Sequence, residues 1–184
     1  SVAISTGTLT SITGTLDVGT GNDTIALTLA MNGVDISGAD TTTVTTITGS
    51  AASANTAYAA VILSDTTLAA ATLNALNDNT TGAIDASTVT TLTGAALDAN
   101  TTFAAGKDGH ITNLGNEAVT LNDTSLATAT LNTLNDNTTG AVDATTLMTI
   151  TGSAAHVNTA YTAGMASEII GLGNEAVTLD DTTL

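Results

Sequence analysis

Two stretches of this chain place oxygen-bearing side chains at the alternating spacing used by a hard divalent cation. Asn77-Asp78-Asn79-Thr80-Thr81-Gly82-Ala83-Ile84-Asp85 recurs as Asn135-Asp136-Asn137-Thr138-Thr139-Gly140-Ala141-Val142-Asp143. In each, oxygens stand at loop positions 1, 3 and 5, a glycine at 6 allows a sharp turn, and an aliphatic residue follows at 8. Asn77, Asn79, Asp85, Asn135, Asn137 and Asp143 are therefore candidate calcium ligands. Asp23 is another, within Val18-Gly19-Thr20-Gly21-Asn22-Asp23-Thr24-Ile25-Ala26. Each stretch also has a plainer reading. The first is a glycine-terminated helix running into a polar turn, and the second a Gly-Asn-Asp turn between strands. Position 12 of the recurring stretch is Thr88 or Thr146, which removes the bidentate carboxylate, and positions 1, 3 and 5 are uncharged.

Catalytic chemistry has little to stand on, and the expectation is that the chain is not an enzyme. His110 and His156 do not occupy matching repeat positions, and no metal-binding His-Glu pair, nucleophile elbow or lysine-bearing phosphate loop surrounds them. The carboxylates recur with the repeat, as caps and turns do, whereas an acid–base pair would be placed once. A polysaccharide lyase or hydrolase would want Arg, Lys and aromatic platforms. The chain has 17 Asp plus Glu, one basic side chain (Lys107) and 2% aromatics. A net charge of -16 excludes nucleic acid or an anionic membrane surface as partner, because phosphates need cations to neutralise them. No apolar run reaches the length of a membrane span. Cysteine and proline are absent, so disulfides and thiolate metal sites are excluded. Hydrophobic residues make up 42%, too many for a disordered acidic tail. The core must therefore be built from many small aliphatic contacts.

The elements that position these residues are set by an internal repeat. Leu63–Thr120 aligns without gaps on Leu121–Thr178 with about 36 of 58 positions identical. A third copy starts at Leu179 and runs to Leu184, which predicts membership of a longer array. Leu63, Leu92, Leu121, Ile150 and Leu179 fall every 29 residues, as do Thr91, Thr120, Thr149 and Thr178. Within each 29-residue unit the periodicity changes from strand-like (Val89-Thr90-Thr91-Leu92, Ala118-Val119-Thr120-Leu121) to helical (Ala69, Leu73, Leu76). Asp65, Asp123 and Asp181 sit where they could cap the helix that follows, and Gly94 and Gly152 replace them in alternate units. Such a unit is too small to bury a face alone and must stack on its neighbours.

The segment Val119-x-Leu121-x-x-Thr124-x-Leu126 resembles the core of leucine-rich repeats, with Thr at the usual Asn position. The expected fold is an α/β repeat solenoid of that kind, one strand plus one short helix per unit. The alternative is a β-solenoid with short helical corners. Residues 1–62 read as a strand-rich, irregular start or cap, and 63–184 as the tandem array (63–120, 121–178 and the start of a third unit, 179–184).

Ala118-Val119-Thr120-Leu121-Asn122-Asp123-Thr124-Ser125-Leu126 and Val89-Thr90-Thr91-Leu92-Thr93-Gly94 resemble repeats of giant secreted cell-surface proteins of marine cyanobacteria, among them surface-layer, motility-associated and calcium-binding types. Val18–Ala26 is similar to the RTX calcium nonapeptide, with Val18 in place of its first Gly, and the recurring Asn-Asp-Asn stretch is similar to an EF-hand loop. The resemblance implies an extracellular or cell-surface location, with calcium as a possible cofactor. It also implies a structural role in a surface layer, sheath, fibre or adhesin. The partners are then neighbouring repeats, or other copies joined head to tail, together with divalent cations. The alternative function is a binding module whose Thr-bearing sheet face recognises glycan or ice.

Overall fold

A computed structural model describes residues 60–182 in full. Before them it describes the backbone of four strands, β1 (Gly14–Asp17), β2 (Asp23–Ala26), β3 (Val34–Ser37) and β4 (Val44–Gly49). The protein is α/β, with parallel sheets. It divides into two compact units whose residues interleave along the chain. The first holds 1–66, 72–89 and 105–113, and the second holds 67–71, 90–104 and 114–184.

In the first unit β1 pairs with β3, and a five-stranded parallel sheet runs in the order β2-β4-β5-β7-β9. The last three strands are β5 (Ala60–Leu63), β7 (Ile84–Asp85) and β9 (Ile111–Thr112). Its register aligns Ile25, Ile47, Val61, Ile84 and Ile111. β-Branched residues dominate this row because a branched side chain packs well on a pleated surface. Val61, Ile84 and Ile111 are buried.

The second unit has two parallel sheets. One runs β6-β8-β10-β12-β14, built from β6 (Thr67–Ala69), β8 (Thr91–Gly94), β10 (Ala118–Leu121), β12 (Val142–Asp143) and β14 (Ile169–Ile170). The other runs β11-β13-β15, built from β11 (Ser125–Ala127), β13 (Thr149–Gly152) and β15 (Ala176–Leu179). Among the described residues the helices are α1 (Ala70–Asn79), most of which belongs to the first unit, α2 (Ala96–Lys107), α3 (Thr128–Asn137) and α4 (Ala154–Met165). From β10 onward the chain winds: a strand in the larger sheet, a short corner, a strand in the smaller sheet, then a helix back. Parallel neighbours demand such a crossover.

The apolar columns follow this winding. Leu68, Leu92, Val119, Val142 and Ile169 are successive partners in the larger sheet, and Leu126, Ile150 and Val177 in the smaller. Chain distances between partners are therefore 24, 27, 23 and 27 residues in one sheet and 24 and 27 in the other. The expected single column at a constant 29 residues does not form. Leu63 pairs with Gly49, Leu121 with Gly94 and Leu179 with Gly152, while Leu92 and Ile150 lie in different sheets. Equal spacing in sequence counts residues. Register counts the residues consumed by each corner and helix, and these alternate.

The helices bury narrow faces: Ala96, Ala99, Thr102 and Phe103 in α2, Thr128, Leu131 and Leu134 in α3, Val157, Ala160 and Ala163 in α4. On α1 the buried row is Ala70, Leu73 and Leu76; Ala69, expected on that face, ends β6 and is exposed. Asparagines link neighbouring helices, Asn100 Nδ2 donating to Thr130 O at 3.1 Å and Asn132 Nδ2 to His156 O at 3.0 Å.

The capping aspartates serve a different helix from the one expected. Asp123 Oδ2 accepts from the Ala96 N–H at 2.8 Å and Asp181 Oδ2 from the Ala154 N–H at 2.6 Å. Each carboxylate thus holds the first turn of a helix that began 27 residues earlier. The helix after Asp123 starts at Thr128, and its N-cap residue Ala127 gives it no side-chain cap. A negative group satisfies orphan donors wherever the tertiary structure brings it. Asp123→Ala is expected to cost about 1 kcal/mol in urea unfolding. A cost near zero would show that the bond is incidental.

Candidate functional site

The calcium candidates fall on different elements. Asn77 and Asn79 close α1, Asn135 and Asn137 close α3, and Asp85 and Asp143 lie in β7 and β12. Residues two apart on a helix point about 200° apart, so positions 1 and 3 of the EF-hand-like pattern face different ways. Accordingly Asn135 Nδ2 reaches Glu168 Oε2 at 3.2 Å while Asn137 Nδ2 reaches Asn100 Oδ1 at 2.8 Å. Asp85 Oδ1 accepts from the Ser87 N–H and from Asn113 Nδ2, and Asp143 Oδ1 from the Thr145 N–H. Those bonds from Ser87 and Asn113 hold the Asp85 carboxyl below the usual carboxylate range. Val18–Asn22 lie outside the described residues, and Asp23 opens β2. Among the described residues no three His, Cys, Asp or Glu side chains gather as a metal site. His110 belongs to the first unit and His156 to the second, and both are exposed.

The Thr series at 29-residue spacing does not stack either. Thr91 lies opposite Ala118, and Thr120 opposite Thr93. In-register threonine pairs do form by another route, Thr67 with Thr91, Thr93 with Thr120 and Thr151 with Thr178.

The recurring Asn-Asp-Asn-Thr-Thr-Gly-Ala stretch instead does mechanical work on a neighbouring strand. In the first unit Val61 N–H donates to Ala83 O at 2.9 Å, and Thr88 Oγ1 donates to Leu63 O and Asp65 O, both at 3.0 Å. In the second unit Val119 N–H donates to Ala141 O at 2.9 Å, and Thr146 Oγ1 to Leu121 O at 3.1 Å and Asp123 O at 2.8 Å. There the buried Thr138 adds a bond from Oγ1 to Glu117 O at 2.7 Å, and Thr139 N–H donates to Gly115 O at 2.9 Å. Gly140 is packed so close that a Cβ would overlap the Glu117 carbonyl and the Ala118 nitrogen. Glycine is required by this approach of backbone to backbone. The stretch is a clasp, and the strand it closes reads Glu-Ala-Val-Thr-Leu-x-Asp in the second unit.

That strand recurs as Glu175-Ala176-Val177-Thr178-Leu179-Asp180-Asp181. Here β15 is the last strand of its sheet, with β13 on one side. Val119 and Leu121 are 1% and 2% exposed, whereas Val177 and Leu179 are 42% and 46% exposed.

Each strand is preceded by a buried glutamate. Glu117 Oε2 accepts from the Gly115 and Asn116 N–H groups, and Glu175 Oε2 from those of Gly173 and Asn174. Oε1 of each is buried and makes no hydrogen bond of full geometry, yet the Tyr161 hydroxyl is close enough to act on Glu175. Burial pushes Glu175 up, but the Tyr161 hydroxyl and the backbone donors outweigh it and hold the carboxyl below its ordinary value. Tyr161 is pushed up to about 12, by burial first and then by the carboxylate. The position matching Tyr161 one repeat earlier is Phe103, which has no hydroxyl.

The signs give two windows. The Glu175 contribution is present above the ordinary carboxylate range and is lost as pH falls through its lowered value. The Tyr161 contribution is full below its unfolded value of 10 and is lost as pH rises toward about 12. Thermal melts across that alkaline window should fall more steeply for the native chain than for Tyr161→Phe; parallel curves would remove the interaction.

Comparison with family models, with curated proteins and with solved structures finds no match for the chain.

Proposed function

We propose that this chain is a structural repeat segment of a secreted, acidic extracellular assembly such as a surface layer, sheath, fibre or giant adhesin. The observation that carries the reading is the contrast between β10 and β15. Two copies of one strand differ in burial according to whether a clasp covers them, which is the behaviour of a module in an array. The array is read as a solenoid of the leucine-rich-repeat type, with coils that alternate in length. Stacked small aliphatic residues make such an array stiff without large aromatics. Its net charge of -16 keeps copies apart until cations screen it, and calcium is the proposed counter-ion. Electron microscopy of native material tests the role: regular polymers at the cell surface support it, and isolated intracellular monomers would end it. A melt with calcium and then a chelator tests the ion, and an unchanged midpoint removes it.

A second reading is a binding module for glycan or ice. It is favoured by the in-register pairs Thr67–Thr91, Thr93–Thr120 and Thr151–Thr178, which form short ranks of hydroxyl and methyl groups. Glycan arrays and thermal hysteresis address it directly, and silence in both would dismiss it.

A further inference from the structure

We infer that the open edge of β15 is a docking cradle for the clasp of a further repeat in the same polypeptide, a segment reading Thr-Thr-Gly-Ala-(Ile/Val)-Asp-Ala-x-Thr. The inference rests on the repeat-array reading and is independent of where the protein resides.

The two closed cradles define what the third one lacks. In β5 and β10 the valine N–H, Val61 or Val119, donates away from the preceding strands to the alanine carbonyl of the clasp. In β15 the Ala176 N–H donates to Met148 O on the β13 side, as Ala118 N–H does to Thr90 O on the β8 side. Alternation along the strand then turns the Val177 N–H toward the open edge, the counterpart of Val119. The carbonyls of Gly173, Glu175, Leu179 and Asp181 are the counterparts of those that the Thr138–Thr146 clasp caps at Gly115, Glu117, Leu121 and Asp123. Upstream, the loop that sets this geometry is already formed. Gly173 has φ 123° where Gly115 has φ 122°, and both glutamates fold back on the same two backbone donors. The cradle is therefore built before anything fills it.

The source follows from occupancy. Both clasps of the chain, Thr80–Thr88 and Thr138–Thr146, are engaged, the first on β5 and the second on β10. A second copy could donate one only by opening its own fold. A following repeat brings a clasp that has no other strand to close. Edge strands left unpaired also invite aggregation, and a matched clasp removes that hazard.

Amide exchange on the intact 184-residue chain tests the first half. Val177 should exchange at least about 100-fold faster than Val119, because its N–H opens without unfolding. Equal protection would overturn the proposal. The second half uses a chain in which a copy of Leu63–Thr120 follows Thr178. The peptide Glu168–Thr178 occurs once in that product, so its exchange is read without ambiguity. The expected result is that Val177 slows by at least about tenfold, toward Val119, and that changing the added clasp glycine to Val abolishes the slowing. No slowing, or an added repeat that remains unfolded beside a formed cradle, would overturn it. Protection of Val177 that rises with concentration of the 184-residue chain would also overturn it, since a second copy would then be the occupant. Loss of polymers in native material would instead strike the proposed role and leave these rates untouched.

Discussion

Gly140→Ala is expected to destabilise the second unit by about 3 kcal/mol, at the upper end of what one added carbon costs in a packed site. A Cβ at Gly140 would fall on the carbonyl carbon and oxygen of Glu117 and on the nitrogen of Ala118. All three are backbone atoms, so no rotamer change relieves the overlap. The clasp would have to lift from β10, and with it would go the bond from Thr138 Oγ1 to Glu117 O. The Gly140 N–H itself is tied to Thr138 Oγ1 at 3.0 Å, which fixes the turn from both sides. Urea unfolding followed by exchange at Val119 measures the effect. A loss under about 1 kcal/mol, within the range of an ordinary substitution, would mean that the turn can move and that the clasp is not tight.

The second large effect is a difference between twins. Leu121→Ala should cost about 3 kcal/mol, within the range for emptying a buried leucine site. Leu179→Ala should cost under about 1 kcal/mol, because nearly half of that side chain already meets water. Both leucines end the sequence Ala-Val-Thr-Leu, both face a glycine across the ladder (Gly94 and Gly152), and both precede a corner that ends in Asp. What differs is the clasp. Paired chemical denaturation of the two variants would read that difference directly. Equal losses would show that β15 is buried by something other than a repeat, and the case for a modular array would fail with it.

Several features were legible from residues alone. The 58-residue repeat, the short β-branched strands, the helical row at Leu73 and Leu76, and the α/β class all follow from periodicity, which local geometry enforces. Asp123 and Asp181 do cap helices, but the earlier ones at Ala96 and Ala154 and not those that follow, so residue type pointed to the role and sequence position pointed to the wrong helix. The clasp also left a signal. Leu76–Ala86 and Leu134–Ala144 differ at one position, Ile84 against Val142. A run so constant, glycine included, is constrained by close contact more tightly than a solvated turn would be. Its alternating oxygens suggested a cation loop because the type of each residue is visible in sequence and the direction of its side chain is not.

The amino-acid order by itself determined the repeat, the class of its elements, the acidic surface and the absence of thiol, proline and cationic chemistry. It did so because each of these is set by residue type and near-neighbour spacing. Only the tertiary structure decided which strands become partners, which helix each aspartate caps, and that one of three equivalent strands lies open. Those outcomes depend on how many residues each corner and helix consumes and on what covers the last strand. Spacing along a chain contains neither quantity.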